Sequence, residues 1–222
     1  MLKQKGKLIV LEGIDGSGKS TQHKLLVKFL RSQGKTVKTI HFPQHGHKFF
    51  GVMVDRYLAN EFGPAGKLDP HLSSVWYALD RWEVSHKIRD WLKKGYWVIP
   101  DRYTTSNLGH QTGKLMDKPA KMRKKFLDWD TEMEYLVLQI PKPDLVIHLD
   151  VDFKAVIKLL KARGRPDGHE SDIKYLRDSQ HAYQYVTKLY PEWKKVICSD
   201  KNGILSRDEI HQRIIKTISE IL

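Results

Sequence analysis

Gly13-Ile14-Asp15-Gly16-Ser17-Gly18-Lys19-Ser20 has the spacing G-x-x-x-x-G-K-[ST], that of a loop which grips a chain of phosphates. The glycines let the backbone curl and turn its N–H groups toward phosphate oxygens. Lys19 is placed to reach the β- and γ-phosphates, and Ser20 to offer a hydroxyl to Mg²⁺. The candidate triphosphate site therefore runs through Gly13, Ile14, Asp15, Gly16, Ser17, Gly18, Lys19, Ser20 and Thr21. A helix that starts at this loop adds the positive end of its dipole.

Three further residue sets could hold a phosphoryl acceptor. Asp101-Arg102-Tyr103 follows the apolar run Trp97-Val98-Ile99. The carboxyl end of a parallel strand is where open α/β sheets bind ligands, and an arginine there can grip a phosphate with two parallel hydrogen bonds. The same tripeptide also suits a structural Asp–Arg pair. Tyr77 and Arg81 are four residues apart, hence on one face of a helix. A ring and a guanidinium can stack a base and bond its edge, although ordinary packing of an aromatic beside an arginine has the same spacing. Asn107 can donate to a carbonyl and accept from a ring N–H, the groups of a thymine or uracil edge.

The elements that must position these residues follow from patterning. Apolar runs alternate with helical patterns, which predicts an α/β fold with a parallel sheet covered by helices. Strands are expected at 7–12, 36–42, 96–100, 144–150 and 194–198, and helices at 19–32, 70–93, 119–139, 152–162, 171–189 and 207–221. Asp69-Pro70 reads as N-cap and first helical residue, with Gly95 ending that helix. Ser206-Arg207-Asp208-Glu209 is a capping box, followed by an apolar face of Ile210, Ile214, Ile218 and Leu222. Two segments read as mobile: Pro43 to Gly51, with His45 and His47, and 163–170, with Arg163, Arg165 and His169. A kinase needs such a lid to close over the triphosphate and exclude water.

With 222 residues the chain suits one α/β domain spanning 1–222. It has no apolar stretch long enough to span a bilayer. Met1-Leu2-Lys3-Gln4-Lys5-Gly6-Lys7 is charged but lacks the apolar core of a secretion signal. Cys198 is the only cysteine, so no intrachain disulfide forms, and a reducing cytoplasm is the expected compartment. The formal charge of +13 is dispersed, without a basic tail, and fits phosphate-bearing small molecules rather than nucleic acid. His45-x-His47 lacks matched further ligands for a zinc site, so these histidines are expected near phosphate or in solvent.

Taken in order, several segments resemble the thymidylate kinase family nearly end to end. They are Leu11 to Gln22, Phe42-Pro43, Tyr77-Ala78-Leu79-Asp80-Arg81, Asp101 to Asn107, and Pro143 to Asp150. The resemblance implies a P-loop kinase fold with a five-stranded parallel sheet and a mobile lid. It implies Mg²⁺-dependent phosphorylation of dTMP by ATP, and a homodimer. By matching position, Tyr77 would stack on thymine, Arg81 would bond O4, and Asn107 would bond the base edge. Phe42 and Pro43 would wall the base pocket, and Tyr103 would pack against the deoxyribose and disfavour a 2′-hydroxyl. Arg102 would hold the monophosphate, with Asp15 positioning the acceptor end directly or through Mg²⁺. Since the loop interior holds no arginine, Arg163 or Arg165 would supply a catalytic cation from the lid. Tyr77 stands where Phe is more frequent, and His169 where many bacterial relatives carry Arg. Two other readings remain: a P-loop kinase acting on another nucleoside or nucleotide, and a basic P-loop binding module without turnover. The first usually has Glu after the second strand and Glu-Arg-Ser near the third, where this chain has Phe42-Pro43 and Asp101-Arg102-Tyr103.

Overall fold

The computed structural model describes residues 6–162, 173–201, 203–219 and 221–222. Five parallel strands form the main sheet: β1 Lys7–Glu12, β2 Val37–Lys38, β3 Trp97–Val98, β4 Leu145–Asp150 and β5 Trp193–Ile197, in the order β2-β3-β1-β4-β5. β1 is central, with Leu8 beside Val98 and Val10 beside Val146. Its run Leu8-Ile9-Val10 is fully buried, as a strand covered on both faces requires. The covering helices are α1 Lys19–Ser32, α2 Phe49–Leu58, α3 Pro70–Lys93, α4 Thr104–Gly113, α5 Ala120–Thr131, α6 Phe153–Ala162, α7 Ile173–Leu189 and α8 Arg207–Ile218. The architecture is the expected α/β fold, a five-stranded parallel sheet flanked by helices. Among the described residues no helix is long and apolar enough to cross a membrane.

The chemical punctuation acts as its residue types demand. Asp69 caps α3 by accepting from His71 N at 2.8 Å, with Pro70 in the first turn. Ser206 and Glu209 exchange hydrogen bonds of 2.9 and 3.2 Å at the start of α8. Ile210, Ile214 and Ile218 are buried on that helix, but Leu222 lies past its end and is exposed.

Four departures from the sequence expectations bear on the site. β2 and β3 are shorter than expected, yet their chains stay paired toward the site: Asp101 N donates to the Ile40 carbonyl at 2.8 Å and Phe42 N to that of Asp101 at 2.9 Å. α2 occupies part of a stretch read as loop. Its first amides, Phe49 N and Phe50 N, are capped at 3.3 and 3.1 Å by Glu83 of α3, a cap remote in sequence. α4 was not expected either. It is buried nearly all round, so it lacks an amphipathic period, and it is rich in Thr, Ser and Gly. Gly109 lets α7 lie against it, since a Cβ there would run into the Tyr183 ring. Finally, the helix expected over 119–139 ends at Thr131 and continues as a π-helical turn, Glu132–Val137. That turn points Glu134 inward and leaves Leu136 and Val137 exposed. The expected lid, 163–170, with Arg163, Arg165 and His169, lies outside the described residues.

Candidate active site

The loop between β1 and α1 curls as its glycines allow. Gly13 has φ +148°, and a Cβ there would sit 2.8 Å from Ser17 Oγ and 2.9 Å from the Leu149 carbonyl oxygen. Asp15 to Thr21, with His41, Asp101 and Arg102, line a cavity of about 260 Å³. The Lys19 ammonium is folded back on the loop and donates to the Gly13 and Ile14 carbonyls at 2.6 and 2.9 Å. Burial pulls its pKa below the usual lysine value, while Asp15, 3.5 Å away, counteracts that pull. α1 begins without a side-chain cap and without an acid in its first turn. A helix N-terminus of this kind suits an anion.

Asp15 and Arg102 join this cavity to a larger one. Arg102 NH2 donates to Asp15 Oδ1 at 2.7 Å, and NH1 lies 3.3 Å from His110 Nε2. Burial opposes the charge on Asp15, but Lys19 and Arg102 outweigh it and hold the carboxyl well below the usual carboxylate range. Arg102 has φ +64°, a left-handed conformation that costs a non-glycine residue about 1–2 kcal/mol. Its contacts with Asp15 and His110 stabilise that conformation and aim the guanidinium between the two cavities.

The larger cavity is a cleft of about 840 Å³. Phe42, Pro43 and Tyr103 form one wall, the rings of Phe42 and Tyr103 being 6.0 Å apart. The Tyr103 hydroxyl donates to the Pro141 carbonyl at 2.7 Å, which leaves its ring to the cleft. Tyr77 also lines it, with Tyr57 edge-on at 5.9 Å. Arg81 and Asn107, both buried, line the inner end. The site thus combines a loop of phosphate-binding spacing, two cations, and a cleft lined by aromatic rings with Arg81 and Asn107.

Residues 11–214 match the family model described as thymidylate kinase. The chain is 30% identical over 220 residues to the probable thymidylate kinase of Pyrococcus horikoshii, with 98% of each chain covered. It is 29% identical to the thymidylate kinase of Plasmodium falciparum, over 99% of this chain and 92% of that one. The solved thymidylate kinase of Candida albicans has the same fold, with a TM-score of 0.73 at 24% identity, covering 97% of this chain and 92% of that one. The chain belongs to the thymidylate kinase family.

Within this thymidylate kinase fold, Asp15 to Thr21 of the expected loop line the smaller cavity, while Gly13 and Ile14 are not among its lining residues. Phe42, Pro43, Tyr77, Arg81, Tyr103 and Asn107 gather around the larger one, and Asp15 and Arg102 border both. His45 pairs with Asp55 and lines the cleft mouth, whereas His47 is exposed. Among the described residues no cluster of His, Cys, Asp or Glu is placed to hold a metal ion. The oxygens of Ser20 and Asp15 nevertheless suit Mg²⁺, which binds through few protein groups plus substrate phosphates.

Several supporting residues escaped the sequence reading. Glu12 is buried behind the loop and accepts from Thr105, Ser106 and Tyr183 hydroxyls at 2.6, 2.8 and 2.8 Å. An acid ending an apolar strand was the available signal. Lys114 also lines the cleft, donating to the Ala65 and Leu68 carbonyls and Ser73 Oγ at 3.0, 3.2 and 3.0 Å. Burial brings its pKa down to about 8. Glu134 holds both Arg81 and Asn107. No local pattern marks it, because a continuous α-helix over 119–139 would not show the turn that aims it.

Proposed function

We propose that this chain transfers the γ-phosphoryl group of ATP, taken as its Mg²⁺ complex, to dTMP, giving dTDP and ADP, with 1–222 acting as one catalytic domain. As a member of the thymidylate kinase family it is a phosphotransferase acting on dTMP. The observation that carries the fuller reading is the junction of the two cavities at Asp15 and Arg102, bonded at 2.7 Å. A donor phosphate on the loop and an acceptor phosphate on Arg102 would meet there. Phosphoryl transfer needs in-line positioning and charge stabilisation more than covalent chemistry.

In this reading Lys19 exchanges its loop carbonyls for the β- and γ-phosphates. Arg102 holds the acceptor phosphate and Asp15 orients that guanidinium. Tyr77 stacks on thymine between Arg81 and the wall of Phe42 and Pro43, and the Tyr103 ring packs on the deoxyribose. Ser20 and Asp15 would hold Mg²⁺, which when bound screens the phosphate charge. Arg163 or Arg165 would add the remaining cation. The buried thiol of Cys198, raised by burial to about 12, fits a reducing cytoplasm. A homodimer has a candidate contact in the exposed Phe49 and Val52 of α2 and Trp82 of α3. Light scattering should then give twice the chain mass.

A coupled ADP-release assay with dTMP, dUMP, dCMP and thymidine tests the reading. Turnover should depend on dTMP and Mg²⁺. Phosphorylation of thymidine with dTMP ignored would overturn it.

A further inference from the structure

Asn107 can offer a base either a donor or an acceptor, but in this fold one of the two is already committed. Its Nδ2 lies 3.2 Å from Glu134 Oε1, 3.3 Å from the Ser74 carbonyl oxygen and 3.5 Å from Asp130 Oδ1. Turning the amide over would set its oxygen against these acceptors. Among the described residues Asn107 Oδ1 takes no hydrogen bond, and the residue lines the cleft. Glu134 also fixes Arg81: Oε2 accepts from Nε at 3.2 Å and Oε1 from NH2. NH1 has no acceptor among the described residues, and Arg81 lines the cleft as well. One carboxylate therefore decides which atoms two neighbours present: an acceptor from Asn107 and a donor from Arg81.

That pair matches an N–H beside a carbonyl, as in thymine N3–H and O4. Cytosine presents the reverse at both positions, a ring acceptor and an amine donor. Arg81 and Asn107 are only 2% and 3% exposed, so water has little room to repair the mismatch. The π-helical turn is what brings Glu134 to this place. Nearby, burial and the Glu134 carboxylate push Asp130 upward, so a second negative charge beside Arg81 is disfavoured.

We infer that Glu134 is a positioning residue for base selection. It holds Asn107 with its oxygen forward and Arg81 with NH1 forward, so that the cleft accepts 4-oxo pyrimidines bearing N3–H and rejects 4-amino pyrimidines. The assignment rests on the dTMP reading above and goes beyond it by naming what sets the polarity of the site.

Glu134→Gln keeps the length but sets an N–H₂ group against Arg81 or Asn107. Glu134→Asp keeps the charge but withdraws it by one methylene. Affinities for dTMP and dCMP would be measured calorimetrically on each variant and on the unaltered protein, with thermal unfolding and the KM for ATP alongside. In both variants dTMP should weaken while dCMP holds or improves, narrowing the preference by on the order of tenfold or more. The KM for ATP should stay put. An unchanged ratio, or equal weakening of both nucleotides in folded variants, would show Glu134 to be merely structural and overturn the assignment. A measurement on the unaltered protein needs no variant to fold: dTMP methylated at N3 cannot donate to Asn107 Oδ1 and should bind on the order of a hundredfold more weakly. Binding as tight as dTMP overturns the assignment. An unaltered protein that binds no dTMP overturns the functional reading itself, and this assignment with it.

Discussion

The phosphate cavity and the acceptor cleft share Asp15 and Arg102 but are built by opposite means. Seven consecutive residues, Asp15 to Thr21, supply most of the smaller cavity. The cleft draws side chains from the 42–45 loop, α2, α3, α4 and α7, and its inner end is held by a buried ion pair with the π-helical turn. A site built on one contiguous loop depends on the few glycines that let it curl. A site made of side chains depends on the packing that holds each rotamer, and so on residues that never touch a ligand.

The sharpest way to separate the two regions is Lys19→Met. The transferring phosphoryl group would lose its principal protein cation, and turnover should fall about a hundredfold to a thousandfold. Binding of dTMP alone, measured by calorimetry, should change little. A loss of dTMP affinity as large as the loss of turnover would show that the regions are not separable in this way.

Glu12 is where the comparison should break down. It precedes the phosphate loop, yet its carboxylate anchors Thr105 and Ser106 of α4 and Tyr183 of α7. Glu12→Ala leaves those hydroxyls without their acceptor and should cost about 2–3 kcal/mol of stability in urea unfolding. Both sites should weaken together, since α4 carries Asn107 and follows Arg102. Glu12→Gln, which retains an acceptor oxygen, should recover much of the loss. A Glu12→Ala variant impaired in only one site would show the sites to be independently supported.

The contrast also explains what could be read in the sequence. The loop, the strand before it and α1 are contiguous, so spacing alone located Lys19 and Ser20. α3 carried both a cap at Asp69 and a helical spacing that placed Tyr77 and Arg81 on one face. Glu83, Glu134 and Lys114 were silent because each acts across many residues: Glu83 caps α2 from α3, and Glu134 reaches Arg81 from 53 residues away. α4 was missed for a related reason. A helix buried on all sides shows no polar face, and Thr104-Thr105-Ser106-Asn107 reads locally as loop.

Tyr77→Ala tests the cleft alone. Loss of stacking should weaken dTMP by about 1–3 kcal/mol while leaving ATP binding unchanged. Tyr57, edge-on to Tyr77 at 5.9 Å, would face the gap, so thermal unfolding should accompany the binding measurement. Equal weakening of ATP and dTMP would mean that Tyr77 supports the fold rather than the base.

Asp80 ties the cleft wall to α3, and its signature is a pH dependence of stability rather than a loss of turnover. Its carboxylate oxygens accept from Gln44 N at 3.2 and 3.1 Å, directly after Phe42 and Pro43. Burial raises its pKa from 3.8 to about 6. The folded state then holds a proton that the unfolded chain has already released, so stability falls as pH rises from about 4 to about 6 and levels off above that. Asparagine offers the Gln44 amide an acceptor and has nothing to titrate. Urea unfolding midpoints of Asp80→Asn should therefore lack this downward slope, and the variant should gain on the unaltered protein across that window. Parallel pH profiles would show that Asp80 titrates normally, and that the wall is held by packing of Phe42 rather than by this buried acid.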